Sequence, residues 1–372
     1  MIPSNHPGRP AEAIPLLDVI RILAAWMVLA WHTSDYVGYR LPVFGSAAVA
    51  VDVFMNISGF LMLFHYWERR EKEPWAKATT WLQFYLRRFF RIAPLYYFGL
   101  LLLVALGLTP AHSDPAARPT WQWLLLRFSF LFGFNPQQST ACAMPDWSLT
   151  LEMQFYVCFP FLALALNYLK TGLFFFLCTL AAAAAHLLVG YYDDAAAGRL
   201  VYFPQPSILP LKLHVFAVGM VVALVLLQGQ PVLKSKWFWA AFPVYALTCK
   251  ENFLWLLAAV YWAGYFICLV PPARRRFYRL LGAMDQTLQN LPGRKTLADC
   301  SYGTYLIHNI VITLVLTRIW PSLPKGQGSL ARFVLAFILI LGLTTAVSYL
   351  LHRLIEKPGI NSGRSLIKKF KV

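Results

Sequence analysis

Residues 16–37 read LLDVIRILAAWMVLAWHTSDYV, an apolar stretch that contains the ionisable side chains of Arg21 and His32. A helix of about 20 mostly apolar residues can cross the hydrocarbon core of a bilayer. Ionisable residues inside such a helix are costly and therefore mark functional positions. We expect this stretch to be a retained first membrane helix, because it is longer than the apolar part of a signal peptide and contains Asp18.

Arg21 and His32 lie on one face of this predicted helix. The eleven steps between them make three turns plus about 20°, and their axial separation is about 16 Å. Arg21 is then near the cytoplasmic end and His32 is in the outer leaflet. The shared face predicts that both line one path through the helix bundle. The alternative is that Arg21 reaches the inner headgroups and His32 is a packing residue.

The composition is that of an integral membrane protein. Hydrophobic residues make up 59% of the chain and charged residues 13%, whereas soluble domains contain about 25% charged residues. Aromatic residues, which collect at the membrane surface, make up 16%. The net charge of +17 does not indicate a nucleic-acid partner, because the basic residues cluster in short loops between apolar segments.

Ten apolar segments predict an all-α integral membrane protein with about ten transmembrane helices. They are residues 16–37, 43–66, 89–108, 147–168, 171–190, 208–228, 236–249, 252–271, 300–320 and 330–354. Most of the 33 lysines and arginines then fall on one side of the membrane, which predicts cytoplasmic N- and C-termini. Residues 120–134 are shorter and contain Arg127. If they crossed the membrane, the later basic loops would face outward, so we expect a re-entrant or interfacial outer helix.

Two carboxylates are predicted at the depth of His32. Asp52 lies in the outer part of the second segment, and Glu152 lies five residues after Trp147 in the fourth. A carboxylate orients a neighbouring imidazole and favours its protonated form, so such a group can perform acid–base chemistry. The candidate catalytic residues are therefore His32, Glu152 and Asp52. The alternative is that the two acidic side chains only stabilise helix N-termini.

The inner part of the bundle is predicted to be basic. Arg87, Arg88 and Arg91 lie where the third segment leaves the cytoplasm, and the arginine fork suits phosphate oxygens. Ordinary anchoring at the cytoplasmic surface is the alternative.

A polar face is predicted on the ninth segment. Its residues Ser301, Tyr305 and His308 follow the spacing i, i+4 and i+7, which places them on one face of a helix. We expect this face to line a polar cavity in the inner half of the membrane. Hydrogen bonding between helices is the alternative.

Motifs of covalent and metal enzymes are missing from the sequence. It contains no GxSxG, Walker or HExxH motif, and its six cysteines show no CxxC spacing. We therefore expect no metal, and base catalysis by histidine is favoured over a serine or cysteine nucleophile.

Five segments in order resemble the membrane-bound acyltransferase-3 family, which O-acylates bacterial surface polysaccharides and related acceptors. LLDVIRILAAWMVLAWH resembles its Arg/Lys-x10-His first helix, VDVFMNISGFLM its Phe-Phe-x-x-Ser-Gly pattern, and LRRFFRIAPLYY its arginine-rich third helix. WSLTLEMQFYVCFP is similar to its Trp-Ser-Leu-x-x-Glu-x-x-Phe-Tyr signature and SYGTYLIHN to its Ser-Tyr-x-x-Tyr-Leu-x-His helix, and IEKP also has a counterpart. Val19 and Ile22 replace common glycines, and Met55 and Asn56 interrupt an aromatic pair. These departures concern the acceptor more than the reaction.

The resemblance implies that residues 1–372 form a single transmembrane acyltransferase domain in a bacterial inner membrane. It implies transfer of an acyl group from cytoplasmic acyl-CoA to a hydroxyl of an extracytoplasmic saccharide or lipid-linked glycan, such as exopolysaccharide or lipopolysaccharide. Acetyl, from acetyl-CoA, is the commonest group in the family, and succinyl or longer chains stay open. The coenzyme phosphates would bind Arg21, Arg87, Arg88 and Arg91, and its arm would pass Ser301, Tyr305 and His308. His32 would deprotonate the acceptor, oriented by Glu152.

Two other classes of function are possible from the residues. In a proton-coupled transporter or exporter, His32, Asp52 and Glu152 would form a proton relay. The sequence shows no inverted repeat of the kind common in transporters, and clustered arginines fit a phosphorylated substrate better. A non-catalytic scaffold for polysaccharide assembly is the third class.

Overall fold

Helices form nearly all of the regular structure in the described part of the protein. The computed structural model describes residues 14–41, 47–108, 120–139, 144–191, 199–228, 235–248, 271–320 and 329–369. The helices are α1 (Pro15–Val37), α2 (Ala48–Arg69), α3 (Ala78–Ala105), α4 (Trp121–Phe128), α5 (Trp147–Tyr168), α6 (Thr171–Leu188), α7 (Leu209–Gln228), α8 (Lys236–Thr248), α9 (Pro271–Gln289), α10 (Arg294–Leu314), α11 (Leu330–Leu351) and α12 (Lys357–Lys369). Two three-residue strands, β1 (Val189–Tyr191) and β2 (Val201–Phe203), pair in parallel with Val189 opposite Val201.

Seven helical segments among the described residues are long and apolar enough to cross a membrane. They are Pro15–Val37, Ala48–Arg69, Ala78–Ala105, Trp147–Tyr168, Thr171–Leu188, Arg294–Ile319 and Leu330–Lys369. This confirms the predicted helical membrane architecture. Helix α7 contains a shorter apolar stretch, Leu209–Leu224, and α8 has 13 residues, about 20 Å against a core of about 30 Å. The predicted segment 252–271 lies almost entirely outside the described residues, so the count of ten stays a prediction.

Three helices extend beyond the apolar segments that predicted them. Helix α3 begins at Ala78 rather than at residue 89, and α10 begins at Arg294 rather than at residue 300. The last predicted segment, 330–354, continues through a π-helical turn (His352–Glu356) into α12. Most polar residues lower helix propensity by less than about 1 kcal/mol each. Apolar stretches therefore indicate where a helix is embedded, but not where it begins or ends.

The segment 120–134 does not form one spanning helix. Helix α4 has eight residues, about 12 Å at 1.5 Å per residue. Phe130 then adopts a left-handed conformation with φ of 59°, and a 3₁₀ turn follows at Leu131–Phe134. The segment is therefore too short and too bent to cross the hydrocarbon core. Its predicted position at the outer face stays a prediction.

The chain forms two compact units, here called unit A and unit B. Unit A comprises Met1–Leu17, Phe54–Trp75 and Leu151–Pro292. Unit B comprises Asp18–Val53, Ala76–Thr150 and Gly293–Val372. Unit A therefore contains α6 to α9 and most of α2 and α5, whereas unit B contains α3, α4, α10 to α12 and most of α1.

In unit A, α2 and α7 approach each other at two glycines. A methyl group added at Gly59 would lie 2.1 Å from the carbonyl oxygen of Phe216, and one at Gly219 would lie 1.9 Å from that of Asn56. Small residues at a membrane-helix crossing allow two backbones to come this close. Beside the crossing, the rings of Phe155 and Phe216 stack with centroids 4.1 Å apart. These contacts hold α2, α5 and α7 together.

In unit B, α1, α10 and α11 share an apolar core. Its buried residues are Leu29, Val37, Ile312, Val315, Ala336 and Ile340. Helix α12 packs against α3 through two glycines. A methyl group at Gly359 would lie 2.7 Å from Pro94 Cγ, and one at Gly363 would lie 2.7 Å from Phe90 Cβ. The C-terminal helix is thus fixed along the arginine-bearing half of α3.

We expect Gly219→Ala to destabilise the protein, because the new methyl group would overlap a backbone carbonyl that cannot turn away. Overpacking of this kind costs about 1–3 kcal/mol. Gly342→Ala is the matched control, because nothing lies within 4 Å of the added methyl group. Thermal unfolding of the purified variants in detergent measures both. Equal Tm values for the two variants would contradict the proposed crossing.

Candidate active site

Helices α1 and α10 run parallel, and side-chain pairs join them at two levels. Near the start of both helices, the Asp18 carboxylate forms an ion pair with the Arg294 guanidinium. Fourteen residues later in each helix, about 21 Å along the axis, the ring of His32 contacts the ring of His308. Their centroids are 5.1 Å apart and the planes are tilted by 36°. The equal spacing shows that the two helices pack in register over this length.

His308 is fully buried and held by its own helix. Its Nδ1 lies 2.6 Å from the carbonyl oxygen of Tyr305. Its Nε2 has no hydrogen-bond partner among the described residues. His32 is partly buried, and its ring also contacts that of Trp31, with centroids 4.9 Å apart. The site therefore contains two imidazoles in contact.

The structure corrects the predicted depth of His308 relative to His32. The sequence predicts His308 in the inner half of the membrane and His32 in the outer leaflet, because the ninth apolar segment begins at residue 300. Helix α10 begins six residues earlier, at Arg294. His308 is thus further along the helix than expected and lies at the level of His32.

A hydroxyl pair adjoins the histidines. The Tyr305 hydroxyl lies 2.6 Å from Ser148 Oγ, and the two hydroxyl oxygens lie 3.2 and 3.3 Å from the carbonyl oxygen of Pro145. One hydroxyl donates to the other, and the second donates to this carbonyl oxygen. Ser301 is also buried, but its hydroxyl donates to the carbonyl of Ala298 in its own helix, at 2.7 Å. Tyr305 and Ser148 therefore tie α10 to the start of α5.

A buried ion pair fixes the segment that carries Pro145. Arg127 Nε lies 3.3 Å from Asp146 Oδ2, and both side chains are almost fully buried. The guanidinium also donates to the carbonyl of Gln138 at 3.0 Å and lies over the rings of Trp123 and Phe132. Arg127 is therefore a structural residue that joins α4 to the start of α5. The sequence identified it only as a charge that interrupts an apolar stretch.

The predicted coenzyme-binding arginines belong to unit B. Arg21 is partly buried on α1, and Arg87, Arg88 and Arg91 are partly buried inside α3. Arg91 Nη1 lies 3.3 Å from Glu356 Oε1, and Glu356 Oε2 lies 3.0 Å from His352 Nδ1. A buried carboxylate therefore holds the head group of Arg91.

The two predicted carboxylates belong to different units. Asp52 is buried in the second turn of α2 within unit B, the unit of His32. Glu152 belongs to unit A, where its Oε1 accepts hydrogen bonds from Ser58 Oγ at 2.9 Å and from the Tyr156 hydroxyl. The roles of both carboxylates in catalysis stay predictions.

Cysteine and metal chemistry receive no support from the described residues. Cys158, Cys178 and Cys300 are free thiols; the other three cysteines lie outside the described ranges. Within those ranges, no group of three or more His, Cys, Asp or Glu side chains is placed to hold a metal ion.

A comparison with protein families shows to which family the chain belongs. A family model described as an acyltransferase domain matches residues 14–353. The chain belongs to the acyltransferase-3 family. The match includes α1 to α11, so every candidate residue of both units lies within it. No solved structure matches the chain.

Two curated relatives match over nearly their whole length. The acyltransferase MdmB of Streptomyces mycarofaciens is 25% identical over 382 residues, which cover 93% of this chain and 91% of that protein. The exopolysaccharide production protein ExoZ of Rhizobium meliloti is 25% identical and covers 91% of this chain and 96% of its own length. The peptidoglycan O-acetyltransferase OatA of Listeria monocytogenes is 26% identical over 42% of this chain and 25% of its own.

Several partner residues in the family motifs were not predicted. Ser148 is the serine of the Trp-Ser-Leu motif, Ser58 is that of the Ser-Gly-Phe motif, and Tyr156 closes the Glu-x-x-Phe-Tyr motif. Glu356 lies in IEKP, which resembled the family without a stated role. Each is a polar side chain at a fixed position of a motif. That position was the signal in the sequence from which a role could have been predicted.

We expect Arg127→Gln to destabilise the protein by about 3–5 kcal/mol, because it leaves the buried Asp146 carboxylate without its cation. Arg318→Gln is the matched control, since Arg318 is exposed. Thermal unfolding in detergent gives the comparison. The double variant Arg127→Met/Asp146→Leu should regain most of the lost stability. If Arg127→Gln unfolds at the temperature of the control, the ion pair has no structural role.

Proposed function

We propose that the protein transfers an acyl group, acetyl in the first place, from acyl-CoA to a hydroxyl of an extracytoplasmic saccharide or lipid-linked glycan. The observation that carries the proposal is the contact between His32 and His308 in a chain of an acyltransferase family. A pair of imidazoles can move the proton that must leave the acceptor hydroxyl. The family supports the class of reaction, and the contact between the two imidazoles supports their position as its place.

The donor side of the proposal rests on the arginines of unit B. Arg21 lies on the face of α1 that also carries His32, about 16 Å away along the axis. The arginine fork matches phosphate geometry, and CoA carries several phosphates at the end remote from its thioester. The excess of basic residues in the loops on one side favours a cytoplasmic entrance. An extended coenzyme would thus place its phosphates at the basic end and its thioester toward His32.

The acceptor side of the proposal rests on the named relatives. One is an exopolysaccharide production protein and another a peptidoglycan O-acetyltransferase. Both names concern saccharide polymers outside the cytoplasm, which agrees with a base at the end of α1 remote from the basic loops. We propose a bacterial inner membrane as the location.

The proposed step needs no cofactor beyond the acyl donor. The acceptor hydroxyl gives its proton to His32 as its oxygen forms a bond to the thioester carbonyl carbon. The carbon–sulfur bond then breaks, and the sulfur takes the proton to give free CoA. Atoms and charges balance between an alcohol plus a thioester and an ester plus a thiol. Proton transfer by a positioned group contributes about 10²–10⁴-fold to such a rate.

The donor site is tested with labelled acetyl-CoA and purified protein in nanodiscs. We expect saturable binding that weakens by about 10- to 100-fold when one arginine–phosphate contact is lost. Arg91→Ala is combined with Glu356→Gln, because the single change would leave Glu356 buried without its cation. Arg88→Ala is tested alone, and exposed Arg332→Ala is the control. A transporter of another substrate would show no such binding.

The chemical step is tested by His32→Ala. We expect acetyl-CoA binding to persist while transfer of labelled acetyl into the glycan fraction of membrane vesicles falls by about 10²–10⁴-fold. Mass spectrometry of surface glycans from cells with and without the protein identifies the acceptor. Transfer at the wild-type rate by His32→Ala would refute the proposed role of His32.

A further inference from the structure

The buried Nε2 of His308 is the basis of the inference. We propose that His308 is a positioning residue for His32: its Nε2 accepts the N–H of His32, so that the other nitrogen of His32 keeps its lone pair for the acceptor hydroxyl. The inference rests on the proposed function and deepens it. It moves His308 from the predicted path of the coenzyme to the reaction centre.

The tautomer of His308 follows from its backbone contact. Nδ1 lies 2.6 Å from the Tyr305 carbonyl oxygen, and a carbonyl oxygen can only accept a hydrogen bond. Nδ1 therefore carries the proton of the neutral ring, and Nε2 is an acceptor. This nitrogen is buried and has no partner among the described residues. A buried acceptor without a donor costs about 1–3 kcal/mol, so the site calls for a donor.

His32 is the donor that the geometry offers. An N–H···N bond of about 3 Å between two imidazoles places their centroids about 5 Å apart, and the observed separation is 5.1 Å. The ring planes are tilted by 36° and Nε2 of His308 has no partner among the described residues, so the bond forms when the His32 ring turns about χ2 to point its N–H at Nε2. Tyr305, whose ring centroid is 6.0 Å from that of His308, uses its hydroxyl with Ser148 and Pro145.

The resulting chain of hydrogen bonds fixes both tautomers. The Tyr305 carbonyl accepts from His308, and His308 accepts from His32. The free nitrogen of His32 is then the base, and His308 stabilises the imidazolium that forms when the hydroxyl proton arrives. A base oriented by a second polar group, itself held by a third, is the logic of a catalytic triad. Because a backbone carbonyl makes the last contact, the tautomer of His308 does not depend on a mobile side chain.

Replacing His308 by glutamine or by asparagine distinguishes a positioning role from a packing role. The terminal group of glutamine reaches the position of the imidazole Nε2, whereas that of asparagine reaches only the position of Nδ1. We expect His308→Asn to lower kcat of acetyl transfer by about 100-fold, and His308→Gln to stay within about 10-fold of the wild type. The KM for acetyl-CoA and the Tm should stay close to wild-type values in both variants.

Three results would overturn the inference. One is wild-type kcat in His308→Asn. Another is an equal loss of kcat and Tm in both variants, which indicates a packing role. The third is a raised KM for acetyl-CoA with unchanged kcat, which returns His308 to the coenzyme path. His32→Ala, measured beside them, reports on the proposed function itself, so a failure of each idea is recognised separately.

A measurement on the resting protein tests the tautomer without any turnover. In protein labelled with ¹⁵N-histidine in bilayers, we expect His308 to show a protonated Nδ1 and an unprotonated Nε2. Its signal among the eight histidines is identified by its loss in His308→Gln. A proton on Nε2 instead would overturn the inference, whatever the outcome of the transfer assay.

Discussion

The ion pair between Asp18 and Arg294 holds the register of α1 against α10, and the candidate site depends on that register. The pair lies fourteen residues before the two histidines in both helices. A slip of one residue would rotate His308 by about 100° and turn its ring away from His32. Apolar contacts such as those in the cluster that contains Leu29 and Ile312 tolerate small shifts, because aliphatic side chains pack in many ways. A buried or half-buried charged side chain tolerates few such shifts, since a charge that loses its partner is left unpaired.

A second ion pair has a related role closer to the two histidines. Arg127 and Asp146 are buried together, and the next residue toward the N-terminus, Pro145, supplies the carbonyl that orients Tyr305 and Ser148. Helix α4 is too short to cross the membrane, but its Arg127 helps to hold the candidate site in place. The first ion pair lies at the start of α10, and the second supports Tyr305, one turn before His308 in the same helix. Polar groups that are costly in lipid therefore fix the positions of a few side chains of the candidate site.

The sequence predicted those structural features that are decided within one helix at a time. The common face of Arg21 and His32, the membrane class and the failure of residues 120–134 to span all follow from spacing, composition and length. Contacts between helices could not be predicted, because the pairing of Arg91 with Glu356 and of His32 with His308 is decided by tertiary packing. The error in the level of His308 has the same origin. Hydropathy located the embedded part of α10, but its polar first turns, which contain Arg294, were not recognised as helix.

A neutral partner suits a base that works inside a membrane. A carboxylate beside His32 would carry a permanent charge, and removing such a charge from water costs several kcal/mol unless a cation accompanies it. An imidazole held as a neutral acceptor carries no charge in the resting protein. In the proposed reaction, charge develops only when His32 takes up the hydroxyl proton, and it disappears when the thiolate of CoA removes that proton. If the proposed roles hold, a pair of histidines limits the cost of desolvation to the moment of reaction, which agrees with an imidazole as the residue on α10 that contacts His32.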